Sequence, residues 1–131
     1  MLRESIDTNV LLRLILKDTP QQCLKIQDML MRQGVVYEVA DLAITETAYV
    51  LCTWYNWERS GIVEALEAVL EDFELNYNKV LFERVFPMYL ERPKLSFNDC
   101  CLAVYAQLNG AEPLWTFDQA LARQVDTAKL L

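Results

Sequence analysis

At 131 residues the chain has the size of a single domain, spanning 1–131, and can bury roughly two-thirds of the surface its unfolded form exposes. Hydrophobic residues make up 53% and charged residues 24%, and three Gly with four Pro leave little material for linkers, which excludes a largely disordered chain. The net charge of −7 sets it apart from proteins that grip a phosphate backbone with a broadly basic surface.

Leu2 to Ile6 reads as a short strand, and Asp7-Thr8-Asn9 after it supplies side chains that can cap a helix. Val10, Leu11, Leu14 and Ile15 follow at helical spacing. Asp18-Thr19-Pro20 stops that helix and starts another with Pro in its first turn, carried by Cys23, Ile26 and Leu30 and closed by Gly34. Val35 to Val39 is a β-branched and aromatic strand. A third helix follows Asp41, with Ile44, Ala48, Leu51, Cys52 and Tyr55 on one face and Glu46 in its first turn, about 200° round from Ile44. Ile62, Leu66, Val69 and Leu70 mark a fourth helix, and Phe73-Glu74-Leu75 a short strand.

Leu81, Val85, Met88 and Tyr89 keep helical spacing, but Pro87 lies inside that stretch and predicts a kink or an early end. Ser96 to Leu108 is again helical and stops at Asn109-Gly110. Pro113 to Phe117 reads as a strand, Asp118 opens a short helix, and Thr127 to Leu131 suits an edge strand. Strands separated by helices imply right-handed crossovers. The expected fold is three-layer α/β/α, with a central, mainly parallel sheet of about five strands. Ligands of such sheets gather beyond the carboxyl ends of the strands, where Asp7 and Asp118 fall.

No apolar run approaches bilayer length, and Met1-Leu2-Arg3-Glu4 leads into the first strand without a hydrophobic leader, so a cytoplasmic protein without membrane contact is expected. Cys23, Cys52, Cys100 and Cys101 form no C-x-x-C pair and no histidine accompanies them. This argues against a zinc site and for small, reduced core residues.

Asp7, Glu46, Asp99 and Asp118 are the acids placed for chemistry. A few carboxylates without histidine or thiolate suit a hard divalent cation, Mg²⁺ or Mn²⁺. Each has a structural explanation as well, since Asp caps helices, acids in a first turn complement the helix dipole, and Ser96 with Asp99 has capping-box spacing.

The set as a whole resembles the PIN-domain family, in particular the VapC-type toxin ribonucleases of bacterial toxin–antitoxin pairs. Four blocks carry the resemblance: Ile6-Asp7-Thr8-Asn9-Val10-Leu11, Ile44-Thr45-Glu46-Thr47, Ser96-Phe97-Asn98-Asp99 and Trp115-Thr116-Phe117-Asp118. They run in order over nearly the whole chain. Asn98 and the Cys100-Cys101 pair depart from the small apolar residues often found around the third acid.

The resemblance implies a metal-dependent endoribonuclease with a 5′-phosphate product, in which Asp7, Glu46, Asp99 and Asp118 hold Mg²⁺ or Mn²⁺ and Asn9 and Thr116 support them. It also implies a homodimer and a cognate antitoxin that lays a helix on apolar surface. Arg13, Lys17, Arg59, Lys94 and Arg123 are the candidate RNA contacts; solvated surface charge is their other reading. Trp54, Tyr55 and Trp57 could serve association, although for Tyr55 core packing is the better explanation. Two rivals stand beside the nuclease: a catalytically weak PIN-fold module acting through protein contacts, and a receiver domain. The second would need an acidic pair near the first strand, where Asp7-Thr8-Asn9 offers one acid.

Overall fold

The computed structural model describes residues 1–131, which divide into two compact units, Met1–Asn78 and Lys79–Leu131. The first holds β1 (Leu2–Ile6), α1 (Thr8–Leu16), α2 (Pro20–Leu30), β2 (Val35–Val39), α3 (Asp41–Thr53) and α4 (Arg59–Asp72). The second holds α5 (Lys79–Glu91), α6 (Phe97–Leu108), β3 (Leu114–Thr116), α7 (Gln119–Gln124) and β4 (Ala128–Leu130). Strands alternating with helices make the chain an α/β protein. No helix is long and apolar enough to cross a membrane.

In the first unit β1 and β2 pair in parallel, from Leu2 opposite Val35 to Ile6 opposite Val39. A parallel pair needs a crossover, and α1 and α2 provide it. α1 stops where Lys17 turns left-handed and donates its N–H to the Arg13 carbonyl at 3.0 Å; Pro20 then opens α2 in the position where its missing donor costs nothing. Gly34, at φ +77°, turns the chain into β2, a conformation that a side chain would strain. Leu11, Leu12 and Leu14 of α1 are buried, as are Ile44, Ala48 and Leu51 of α3 and Ile62, Leu66 and Leu70 of α4. Burial of each of the larger of these side chains contributes about 1.5–3 kcal/mol, so the apolar stripe of α1 fixes that helix against α3 and α4.

The stretch predicted as a strand at Phe73–Leu75 is not one. α4 runs on to Asp72 and Glu74 takes a left-handed φ of 52°, which leaves Asn76 alone to pair with β2. Its N–H donates to the Tyr37 carbonyl and its carbonyl accepts from Val39 N–H, both at 2.8 Å. In place of one central sheet of about five strands, the hydrogen bonding therefore gives two parallel pairs, β1·β2 and β3·β4, and this bridge.

In the second unit α5 packs on α6 through an aromatic cluster. Phe97 lies 6.2 Å from Phe82, 6.2 Å from Phe86 and 5.1 Å edge-on from Tyr89, centroid to centroid. That cluster explains why Pro87 does not end α5: the ring costs one backbone bond, while Phe82, Val85, Phe86 and Tyr89 are buried around it and Arg92 N–H still reaches the Met88 carbonyl at 2.9 Å. α6 closes with Gly110 at φ +61°; Gly110 N–H bonds the Gln107 carbonyl and Ala111 N–H the Ala106 carbonyl, the pairing of a Schellman turn. β3 and β4 pair in parallel with α7 between them in sequence.

Two expectations about burial need correction. Cys23 and Cys100 are buried, but Cys101 is only half-buried and Cys52 is exposed. Tyr55 is 45% exposed, because α3 ends at Thr53 and the chain turns at Asn56 with φ 54°, which takes Tyr55 off the helical stripe.

Candidate functional site

In the first unit, the parallel register brings the ends of β1 and β2 level, with Ile6 opposite Val39, so α1 and α3 start from the same carboxyl edge. Asp7 leaves β1 in an extended conformation, is exposed, and caps α1 by accepting from Val10 N–H on Oδ1 at 3.1 Å. Glu46 is the sixth residue of α3, since that helix starts at Asp41 with Ala40 before it. It therefore lies in the second turn, not the first, and a role as a partner of the helix dipole is closed to it. Its neighbours Ile44 and Thr47 are buried while Glu46 itself is exposed.

A single hydrogen bond joins these two places. Thr8, the first residue of α1 and the neighbour of Asp7, donates from Oγ1 to Glu46 Oε2 at 3.1 Å, across 38 positions of sequence. Thr8 was not among the residues that sequence reasoning assigned to the site. The only signal was a hydroxyl beside an acid at a strand–helix junction; the partner on α3 is not written in that spacing. Asn9, one residue on, is exposed in the same turn.

In the second unit, Asp118 follows β3 after one residue and caps α7, with Oδ1 accepting from Ala120 N–H at 2.8 Å and Leu121 N–H at 3.2 Å. Its own N–H donates to Thr116 Oγ1 at 2.9 Å, so Thr116 fixes the backbone that carries the acid. Asp99 forms the capping box anticipated from its spacing: its N–H donates to Ser96 Oγ at 3.1 Å and its Oδ2 accepts from Ser96 N–H at 3.2 Å. The capping roles of Asp7, Asp99 and Asp118 are thus real. Each occupies one carboxylate oxygen, as the Thr8 bond does for Glu46, and the second oxygen of each carries no hydrogen bond within the molecule.

The donors are all oxygens, as a hard cation prefers, and Mg²⁺ is commonly held by one or two carboxylates together with water and substrate phosphates. The Asp7 and Glu46 carboxylates fit that mode in their chemistry. Neither unit gathers three or more His, Cys, Asp or Glu side chains into a group that could hold a metal by itself.

The basic candidates differ in freedom. Arg13 sits three-quarters buried on α1, with Nη1 3.5 Å from Asp18 Oδ1. Lys17 is exposed at the left-handed end of α1, and Arg59 opens α4 half-buried and engaged. In the second unit Lys94 and Arg123 are exposed.

Compared with known families, the chain matches the family model of the PIN domain over residues 5–126, a stretch that contains all four acids. PIN domains are typically nucleases and generally use divalent metal ions. No curated protein matches the chain.

Proposed function

This chain belongs to the PIN-domain family, and from that premise we propose that it is a Mg²⁺- or Mn²⁺-dependent endoribonuclease, the toxin of a toxin–antitoxin pair. The observation that carries the proposal is the Thr8–Glu46 hydrogen bond beside Asp7: two acids 39 positions apart in sequence are tied to one edge of the β1·β2 pair, where α/β proteins bind ligands. The acids we assign to metal and phosphate are Asp7 and Glu46 in the first unit and Asp99 and Asp118 in the second.

A divalent ion held by these carboxylates would supply Lewis acidity towards the scissile phosphate and would ease deprotonation of water. The chain's own work is placement. The α1 cap holds one oxygen of Asp7 and leaves the other for a ligand; the Thr8 hydroxyl holds Glu46 so that its second oxygen can bind an ion or orient water. Thr116 keeps the Asp118 backbone in place. In the hydrolysis, the water oxygen bonds to phosphorus, the bond from phosphorus to the 3′ oxygen breaks, and that oxygen leaves as a hydroxyl. The products are a 5′-phosphate and a 3′-hydroxyl.

The toxin assignment rests on the resemblance of the four acidic blocks to small toxin ribonucleases. We include in it a homodimer, a cognate antitoxin and action in the cytoplasm. Trp54, 74% exposed, and Tyr55 offer apolar surface for such association. The test is cleavage of a mixed RNA pool with Mn²⁺, with the cut ends mapped. Wild type should leave 5′-phosphate ends, and Asp7→Asn should lower the rate at least about 100-fold, on the scale of losing one preorganised charged group. Full activity in Asp7→Asn, freed of contaminating nuclease, would sink the assignment.

A second reading has its own support. The capping bonds of Asp7, Asp99 and Asp118 and the net charge of −7 suit a PIN-fold module that acts through protein contacts with little catalysis. It predicts no RNA cleavage with either metal.

A further inference from the structure

On α4 the residues Ala65, Ala68, Val69 and Asp72 recur three and four positions apart, a stripe along one face of the helix. Two alanines on that stripe leave space that larger side chains would fill, and a cavity of about 250 Å³ opens between α4, α2 and the end of α1. Its lining is mixed. Leu14 and Val69, both buried, and Ile15 and Phe73, half-buried, give it apolar walls, while Lys17, Gln27 and Asp72 border the same space and are exposed.

Lys17 and Asp72 carry opposite charges, yet neither forms an ion pair or a side-chain hydrogen bond within the molecule, with the other or with any third residue. The helix ends add to the polarity of the place. The Arg13 carbonyl accepts from Lys17 N–H and from Cys23 Sγ, both at 3.0 Å, whereas the carbonyls of Leu14, Ile15 and Leu16 accept no hydrogen bond within the molecule. Such acceptors carry the negative end of the helix dipole, and α4 brings a second C-terminus at Asp72.

We propose that this cavity binds a free amino acid with an apolar side chain, its ammonium group on Asp72, its carboxylate on Lys17 and its side chain against Leu14 and Val69. The two charges select the class. An apolar acid would satisfy Lys17 and meet Asp72 as a like charge; an apolar amine would satisfy Asp72 and meet Lys17. A zwitterion offers each its partner, and the negative ends of α1 and α4 favour its ammonium group. Size narrows the class further, because the volume lies below the roughly 300 Å³ at which pockets for drug-sized ligands begin. The apolar walls favour an aliphatic side chain over a polar one. The site is independent of the nuclease reading: it lies at the far end of α1 from Asp7, a nine-residue helix about 13 Å long.

The experiment is a titration of the isotope-labelled full chain with L-leucine, followed by the backbone amide signals in NMR. Signals of residues 14–17 and 69–73 should move saturably, with a Kd on the order of 1 mM, the strength expected of a small ligand held by exposed charges. N-acetyl-L-leucine, which has no ammonium group, and L-leucinamide, which has no carboxylate, should each bind about ten-fold more weakly. Asp72→Asn and Lys17→Gln should each lower the affinity for L-leucine about ten-fold, and Ala68→Phe, which fills the cavity, should abolish binding. Ala68 and Asp72 are exposed, so their variants keep the fold, checked by the same spectra. Absence of a saturable shift in the wild type overturns the proposal, as does wild-type affinity in Asp72→Asn or Ala68→Phe. Equal binding of L-leucinamide overturns it in favour of an amine site, and equal binding of N-acetyl-L-leucine in favour of an acid site.

Discussion

Glu38 shows what one side chain contributes to the frame of the first unit. Its Oε1 accepts from Arg3 Nε at 2.7 Å and its Oε2 from Asn76 Nδ2 at 2.6 Å, so β1, β2 and the bridging residue meet on one carboxylate. The Arg3 hydrogen bond first, and the Asn76 bond second, hold the Glu38 carboxyl below its ordinary value of 4.5. A depressed carboxylate stabilises the fold above its unfolded pKa, and that stabilisation is lost as pH falls through the folded value. Thermal melts of wild type and Glu38→Gln should therefore differ at pH 7 and draw together progressively as pH falls below 4.5; a difference that does not narrow on acidification would show that it arises elsewhere. A second network lies on the opposite face of the pair, where Tyr37 donates to the Met29 carbonyl at 2.6 Å and Arg32 joins the Tyr37 hydroxyl to Glu4. At the candidate site the corresponding residue is Thr8. Thr8→Val keeps the shape and removes the bond to Glu46, so the Mn²⁺-dependent kcat should fall about ten-fold or more while the melting temperature moves little, the signature of a positioning residue. An equal loss of stability and activity would mark Thr8 as structural.

At the scale of elements, α6 is the best-determined helix of the second unit, because its start, stripe and end are each specified locally. Ser96 and Asp99 close its first turn, and Gly110 its last. Ser96→Ala should cost about 1 kcal/mol in urea denaturation, the usual worth of such a cap. Phe97 links it to α5, in contact with three aromatic rings, and Phe97→Ala should cost about 3–5 kcal/mol; a loss under 1 kcal/mol would mean that the cluster repacks. The same cluster decided the fate of Pro87. Reading along the sequence, a proline in a periodic stretch predicts a break, because only the lost donor and the ring clash are visible. What outweighs them is burial of the α5 rings Phe82, Phe86 and Tyr89 against Phe97 of α6.

For the whole molecule, charge is the property that most constrains function. Setting aside Asp7, Glu46, Asp99 and Asp118 leaves 15 acidic against 12 basic residues, a residual of −3, and divalent ions would neutralise the acids set aside. A metal that binds only the folded chain must raise its stability, by about 2.7 kcal/mol at a hundred-fold excess over its dissociation constant. Heating in Mn²⁺ should therefore raise the melting temperature of wild type, chelator should reverse the gain, and Asp7→Asn should lose most of it. An unchanged melting temperature in millimolar Mn²⁺ favours the protein-contact module.

Much of the plan was legible in the amino-acid order because its causes are local. The strand at Leu2–Ile6, the Pro20 start of α2, the Ser96–Asp99 box and the Gly110 stop are each dictated by residues within a turn or two of one another. The positions of Asp7, Asp99 and Asp118 were legible in the same way, as residues that follow strands or open helices, whereas Glu46, expected in a first turn, lies in the second turn of α3. Tertiary structure decided whatever depends on a partner distant in sequence. Thr8 reaches Glu46 only because α1 and α3 rise from the same edge of a parallel pair. Glu74 turns left-handed and reduces an expected strand to one bridging residue, Tyr55 leaves the stripe that its spacing suggested, and Lys17 and Asp72 line one cavity only when α4 lies against α1. Sequence periodicity specifies which face of a helix is apolar; which neighbour that face meets, and what polar groups then come within hydrogen-bond distance, is settled by packing.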